Sequence, residues 1–195
     1  MGAEPFDLVF VCTGNRFRSP LAEAVARQAL ASANARVRSV GTLELGVVGA
    51  LPEAAAEARR LGLDLSAHRA RHLGHGTVTD ADLVIGFERT HVALSVVEGG
   101  AQRDRTFTLR EIVDLVEMVA APPQVEPVAR ARELIRRAAA ARQAGGLSET
   151  PDPLGRGSAF ARRTADEVAG LTKRLIDALF PHATRSRAGN DAPFV

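Results

Sequence analysis

The chain has 195 residues, a net charge of +2, 46% hydrophobic residues and one cysteine. This composition is typical of one globular domain and excludes an internal disulfide. The arginines are spread over several segments, tryptophan and tyrosine are absent, and no apolar run reaches the length of a membrane span. We therefore expect a cytoplasmic protein that binds neither nucleic acid nor membranes.

Apolar runs with the length of strands alternate with helical patterns along the chain. The predicted strands cover residues 6–11, 36–40, 81–87 and 105–109. The predicted helices cover residues 21–30, 52–61, 89–97, 110–119, 128–143 and 160–179. This alternation predicts an α/β fold, a single three-layer domain with a central four-stranded parallel sheet, helices on both faces and an inserted helix. Ligands are then expected at the carboxyl ends of the strands.

The domain is expected to cover residues 1–182. Pro122, Pro123 and Pro127 interrupt the alternation, and we assign residues from about 122 to 149 to a helical insertion. A lid over a ligand site and a surface for a partner both remain open as roles of this insertion. Residues 183–195 lack periodicity and are predicted to form a disordered tail.

The segment after the first strand combines a cysteine, a turn and an arginine. Cys12 stands at the carboxyl end of the strand, and Arg18 lies shortly before the first helix. Backbone N–H groups of such a loop and of the first helical turn form a cradle for a phosphate-like anion. The same field favours the nucleophilic thiolate of Cys12, and the planar fork of Arg18 matches two phosphate oxygens. The residues expected to bind the anion are Thr13, Gly14, Asn15, Arg16, Phe17 and Arg18.

The next two residues fit a helix start. Ser19 is a residue type that caps helices, and Pro20 suits the first turn, where a missing N–H has no cost. The alternative is that Cys12 is only a small buried hydrophobic residue. The spacing between Cys12 and Arg18 is weak evidence by itself, because 25 residues of the chain are Lys or Arg and such a spacing can occur by chance. The strand, the turn, the Arg-Ser-Pro sequence and the helix together favour the anion site.

Cleavage of a phosphate ester by a cysteine also requires a general acid for the leaving oxygen. Asp152 is our candidate, because it lies in a late loop where Pro153 stiffens the backbone and Gly155 leaves it permissive. An ordinary Asp-Pro turn is the alternative interpretation of this residue.

With these motifs the chain resembles the low-molecular-weight protein tyrosine phosphatases, a fold shared with arsenate reductases. Members of that family carry a C-x5-R loop near the N-terminus, as at Cys12 to Arg18, and a late Asp-Pro motif, as at Asp152. Further similar segments are 18–23, 39–42, 68–71 and 81–85. The resemblance implies a phosphatase that forms a phosphocysteine on Cys12, clamps the phosphoryl group with Arg18, and uses Asp152 first as acid and then as base.

The resemblance also implies a supporting network and a substrate class. The network holds the loop and donates a hydrogen bond to the thiolate, and its residues are Asn15, Ser19, Ser39 and His68. The expected substrate is a phosphorylated protein, with phosphotyrosine first, or a small phosphoester, and a monomer is the default state.

No metal and no cofactor are expected. His68, His72 and His75 have a spacing that invites a metal site, but Gly74 and Gly76 disfavour a continuous helix there. No carboxylate or cysteine completes a ligand set in that segment.

Two features depart from the family pattern. Phe17 occupies the place of a second cysteine that protects the nucleophile in many members, so oxidation of Cys12 is expected to be less easily reversed. Aliphatic residues stand where tyrosine-specific members have aromatic walls, which removes stacking partners for a phosphotyrosine ring. These residues are Leu154 and, in the other wall, Leu43, Leu45 or Val47.

Two other functions remain open at this stage. An arsenate reductase would fit the same cradle, although one cysteine leaves only a version that uses an external small thiol. A phosphate-binding or scaffold protein without turnover is the other, although binding alone needs neither a nucleophile nor an acid.

Overall fold

The computed structural model describes residues 4–123, 126–143 and 148–181, so the tail predicted at 183–195 lies outside it. Its strands are β1 (Phe6–Cys12), β2 (Ala35–Gly41), β3 (Leu83–Gly86) and β4 (Thr106–Thr108). They form one parallel sheet in the order β2-β1-β3-β4. The predicted α/β fold with a four-stranded parallel sheet is confirmed, and β1 occupies an inner position.

Helices connect these strands and cover the sheet. In the described part of the chain they are α1 (Arg18–Ala29), α2 (Pro52–Arg60), α3 (Arg89–Val97), α4 (Leu109–Met118), α5 (Pro127–Ala141) and α6 (Ser158–Leu179). A short 3-10 helix, Arg103–Arg105, precedes β4 and was not predicted. Leu109 was predicted as strand but begins α4, because Thr108 and Glu111 form a reciprocal capping box at that point.

Helix α1 begins at Arg18, earlier than predicted. Its N-cap is Phe17, which makes no side-chain cap hydrogen bond, so the prediction of Ser19 as the cap residue is wrong. Ser19 lies in the first turn, where its hydroxyl is used by the loop before the helix instead. Pro20 also lies in that turn, as expected.

Alternate side chains of β1 enter two cores on opposite faces of the sheet. Leu8 and Phe10 belong to the larger core, which the buried faces of α1, α2, α4, α5 and α6 complete. Val9 and Val11 belong to a smaller core with buried residues from the loop before β3. Cys12 ends the row that faces the larger core and is 3% exposed. The pleat of β1 therefore places the thiol at the carboxyl edge of the sheet, beneath the N-terminus of α1.

Helix α5 lies within the predicted insertion and packs into the larger core. Its buried residues are Val128, Ala131, Leu134, Ile135 and Ala138. Arg132 on its exposed side pairs with Asp82, which precedes β3, at 2.7 Å between Nε and Oδ1. This contact lies at the amino end of the sheet, opposite Cys12. No helix among the described residues is long and apolar enough to cross a membrane.

Candidate active site

The loop between β1 and α1 is held against the end of β2. Leu43 N donates to Thr13 O at 2.9 Å, which fastens the chain after β2 to the loop. Gly41 lies so close that a Cβ there would be 2.8 Å from both Asn15 N and Thr13 O. Glycine is therefore required at position 41, because a side chain would push the loop away from the sheet.

Asn15 fixes the turn of the loop. Its φ of 51° lies in the left-handed region, which asparagine tolerates better than most residues. Its buried Nδ2 donates to Ser19 Oγ at 2.8 Å and to Ser39 Oγ at 2.7 Å, and its Oδ1 accepts from Arg71 N at 2.9 Å. The structure thus brings together Asn15, Ser19 and Ser39, three of the four residues predicted to support the site.

The hydroxyl of Ser19 lies beside the thiol. Ser19 Oγ is 3.0 Å from Cys12 Sγ, and both side chains are buried. Because Ser19 Oγ already accepts from Asn15 Nδ2, its own proton can be donated to the sulfur. The Ser19 hydroxyl therefore offers a hydrogen-bond donor to the sulfur of Cys12.

His68 completes the predicted support from outside the loop. Its Nε2 donates to Asn15 O at 2.7 Å. Burial lowers the pKa of His68 and outweighs the hydrogen bond to Asn15 O and the charge of Glu23, which act in the opposite direction, so the neutral ring is favoured at physiological pH. In the described parts of the chain, no group of three or more His, Cys, Asp or Glu residues could hold a metal ion.

Sequence reasoning missed Glu23, which ends the same network. Glu23 is buried, and its Oε2 accepts from Ser39 Oγ at 2.5 Å. Arg71 and Arg27 pair with its carboxylate at 3.1 Å and 2.8 Å. An acidic residue on an alanine-rich helix gave no sign of this network, because Ser39 and Arg71 come from distant parts of the chain.

Arg18 is 1% exposed, and its guanidinium connects α1 to two distant segments, one at Glu88 and one at residues 150–152. Nη1 donates to Glu88 Oε1 at 2.5 Å and to Thr150 O at 2.8 Å, and Nη2 donates to Asp152 Oδ2 at 2.5 Å. Glu88 was not predicted, and its position before α3 carries no motif that points to Arg18. Carboxylates on two sides thus fix the plane of the guanidinium.

Asp152 makes the hydrogen bond of an ordinary Asp-Pro turn and also contacts Arg18. Its Oδ1 accepts from Leu154 N at 2.9 Å, which is the ordinary Asp-Pro turn. Its Oδ2 contacts Arg18, and its side chain is 40% exposed. The carboxylate therefore lies at the solvent side of Arg18.

A second histidine, His91, contacts the loop, and no role was predicted for it. His91 Nε2 is 3.0 Å from Thr13 Oγ1, and the ring is 1% exposed. Burial lowers the pKa of His91 to about 3, and the adjacent Arg18 contributes to this shift. His91 is therefore uncharged at any pH at which the protein is expected to work.

The walls above the loop are aliphatic, as predicted. We call Leu43, Leu45, Val47 and Leu154 the rim, and these residues expose between 42% and 88% of their surface. Leu45 Cδ1 approaches within 3.3 Å of the position that a Cβ on Gly14 would occupy. Arg16 Nε donates to Gly49 O at 2.9 Å, which holds its guanidinium beside the same wall. Phe17 points the other way and is buried in the larger core.

The fold and the loop define a class of protein: a single α/β domain with an anion cradle and a cysteine at the carboxyl end of an inner strand. Comparison with known proteins agrees with this class. The family model for low molecular weight phosphotyrosine protein phosphatase matches residues 7–121. The chain belongs to this family, whose members are phosphatases.

Individual relatives include two kinds of protein phosphatase. The protein-arginine-phosphatase of Bacillus subtilis is 34% identical over 109 residues, which is 55% of this chain and 72% of the relative. EpsP of Ralstonia solanacearum, a probable low molecular weight protein-tyrosine-phosphatase, is 38% identical over 96 residues, 49% of this chain and 57% of the relative. The solved low molecular weight protein tyrosine phosphatase of T. tengcongensis has a TM-score of 0.66 at 26% identity, covering 88% of this chain and 98% of its own.

Proposed function

We propose that the chain hydrolyses phosphomonoesters on proteins through a phosphocysteine on Cys12. The observation that carries this proposal is the meeting of Cys12, Arg18 and Asp152 at one edge of the sheet. The matched family segment ends at residue 121, so the place of Asp152 rests on its 2.5 Å contact with Arg18. Binding alone would need neither the nucleophile nor the acid.

The reaction has two steps. In the first, the thiolate of Cys12 attacks phosphorus, the bond to the leaving oxygen breaks, and Asp152 gives its proton to that oxygen. In the second, water attacks the phosphocysteine, Asp152 takes the proton of the water, and the sulfur leaves with inorganic phosphate as the product. Arg18 and the loop N–H groups stabilise the charge on the phosphoryl oxygens in both steps.

Phosphotyrosine is the first candidate substrate, because the matched family model is that of phosphotyrosine protein phosphatases. A flat neutral ring can lie on Leu45 and Leu154 by apolar contact, and Asp152 as general acid would protonate the phenolic oxygen. The guanidinium of Arg16 beside the same wall disfavours a leaving group that carries a positive charge.

Phosphoarginine is the second candidate, because two of the relatives are protein-arginine-phosphatases. The absence of tyrosine and tryptophan from the chain means that no such ring stacks on a phosphotyrosine. Glu88 and Asp152 beside Arg18 also offer two carboxylates to a guanidinium. The comparison between the two substrates is therefore the decisive measurement.

The test is to incubate the purified protein with an aryl phosphate, a phosphotyrosine peptide and a phosphoarginine peptide, and to measure released phosphate. We expect release from all aryl substrates, a phosphate-sized mass increase on Cys12 after an acid quench, and neither result with Cys12→Ser. Faster turnover of phosphoarginine would favour the second candidate. Absence of phosphate release together with loss of arsenate that depends on an added thiol would refute the phosphatase.

A further inference from the structure

The proton of His91 can be located from its hydrogen bonds. His91 Nδ1 is 3.0 Å from Glu88 N and 3.3 Å from Phe87 N, and both are backbone N–H donors. A ring nitrogen that accepts from backbone N–H groups carries no proton itself. The neutral ring therefore holds its proton on Nε2, the atom that faces Thr13.

Thr13 Oγ1 then receives two hydrogen bonds. His91 Nε2 donates to it at 3.0 Å, and Arg18 Nη2 donates to it at 3.4 Å. A hydroxyl oxygen has two lone pairs, so both are used and the hydroxyl proton has to point to a third group. Asp152 Oδ2 accepts from the same Arg18 Nη2, so Thr13 and the candidate acid share one donor.

The packing around His91 keeps its ring in this orientation. A Cβ on Gly86 would lie 2.8 Å from His91 Cβ, so the backbone at the end of β3 is in close contact with the histidine. Ser95 Oγ donates to His91 O at 2.7 Å and fixes the backbone one turn later. The ring cannot turn over without loss of the two backbone hydrogen bonds to Nδ1.

We propose that His91 is a positioning residue that fixes the Thr13 hydroxyl as a hydrogen-bond donor to the phosphoryl group bound in the cradle. This inference rests on the proposed phosphatase function. A hydroxyl free to rotate spends part of its time with its lone pairs toward the anion, whereas a hydroxyl with both lone pairs occupied presents only its proton. Preorganised donors of this kind stabilise the charge that develops in the transition state.

A double-mutant cycle tests the coupling between the two residues. His91→Asn keeps an acceptor for the backbone N–H groups, but its side chain is too short to reach Thr13. Thr13→Val removes the hydroxyl at nearly equal volume. We expect each single variant to lower kcat for an aryl phosphate by roughly 10- to 100-fold, with a smaller effect on KM, because the donor acts mainly on the transition state.

The double variant distinguishes positioning from a merely structural role. We expect His91→Asn to lower kcat less than about twofold in the Thr13→Val background, because its target is already missing. Thr13→Ser should fall between the wild type and Thr13→Val, since it keeps a hydroxyl. Thr172→Val makes the same substitution at a buried site in α6 and controls for the change itself. Melting temperatures show whether each variant is folded.

Equal losses from His91→Asn in both backgrounds would overturn the inference. Failure of the proposed function is a separate result, namely no turnover of the aryl phosphate by the wild type. In that case the same cycle is measured on the affinity for inorganic phosphate and vanadate, with coupling expected between the two positions. Additive changes in those affinities would overturn the inference as well.

Discussion

The floor of the site, which we define as Cys12, Asn15, Ser19 and Ser39, exposes at most 3% of any residue, whereas the rim exposes between 42% and 88%. Each side chain of the floor makes a hydrogen bond to another member of it. The rim is aliphatic and exposed. We therefore expect changes in the floor to affect stability and the reaction, and changes in the rim to affect substrate binding.

Asp152 stands between the floor and the rim, and its substitution has the largest expected effect. Asp152→Asn should lower kcat for a phosphotyrosine peptide by roughly 10²- to 10³-fold, because the leaving oxygen loses its proton donor. The loss should be smaller for nitrophenyl phosphate, whose leaving group needs no proton. Steady-state kinetics with both substrates measure this difference.

Asp64→Asn is the matched control for that experiment. Asp64 accepts a hydrogen bond from Ser66 N at 2.8 Å, the same turn that Asp152 makes with Leu154 N. Its substitution should leave both rates within about twofold. Equal losses from Asp152→Asn on the two substrates would contradict a role as general acid.

A change in the floor should cost stability as well as activity. Asn15→Asp keeps the tolerance for a positive φ and the acceptor for Arg71 N, but it removes both donors of Nδ2 and buries a charge. We expect the free energy of unfolding at neutral pH to fall by about 2 to 4 kcal/mol, measured by urea denaturation. Gln28→Glu adds the same charge on the exposed face of α1 and should change it by less than about 0.5 kcal/mol. A similar small change from Asn15→Asp would show that the network does not hold the loop.

A change in the rim should affect substrate binding and leave stability alone. Leu154→Phe adds a ring directly after Asp152-Pro153 and should lower KM for a phosphotyrosine peptide by roughly two- to tenfold through aromatic contact. Inhibition by inorganic phosphate should stay unchanged, because the floor is untouched. Val97→Phe, at a site that is 77% exposed near the end of α3, is the control. An unchanged KM would mean that the ring does not lie against this wall.

The smallest effect is expected at a buried hydroxyl that lies outside both the floor and the rim. Thr172 is fully buried on α6, and its Oγ1 has no hydrogen-bond partner among the described residues. Thr172→Val should therefore raise the free energy of unfolding by up to about 1 kcal/mol with no change in kcat, as thermal unfolding and kinetics can measure. A loss of stability would show that this hydroxyl is satisfied in the protein.

The sequence located the candidate nucleophile, the clamp and the acid because each belongs to a local pattern. Cys12 and Arg18 are separated by one loop between a strand and a helix, and Asp152 lies in a recognisable turn. The cap prediction at Ser19 was wrong because α1 begins one residue earlier, at Arg18, and the Ser19 hydroxyl contacts Cys12 and Asn15 within the loop. Local patterns predict which residues carry chemistry, but they do not say which partners those residues will choose.

Glu88 and His91 became visible only in the tertiary structure. The parallel register pairs Cys12 with Gly41 and Val11 with Gly86, so the residues that follow β2 and β3 arrive beside the same loop. That register depends on how whole strands pack on two cores, and no single segment encodes it. The sequence by itself thus determined the fold class and pointed to Cys12 as the candidate nucleophile, while packing of the sheet decided which carboxylates hold Arg18 and which histidine faces Thr13.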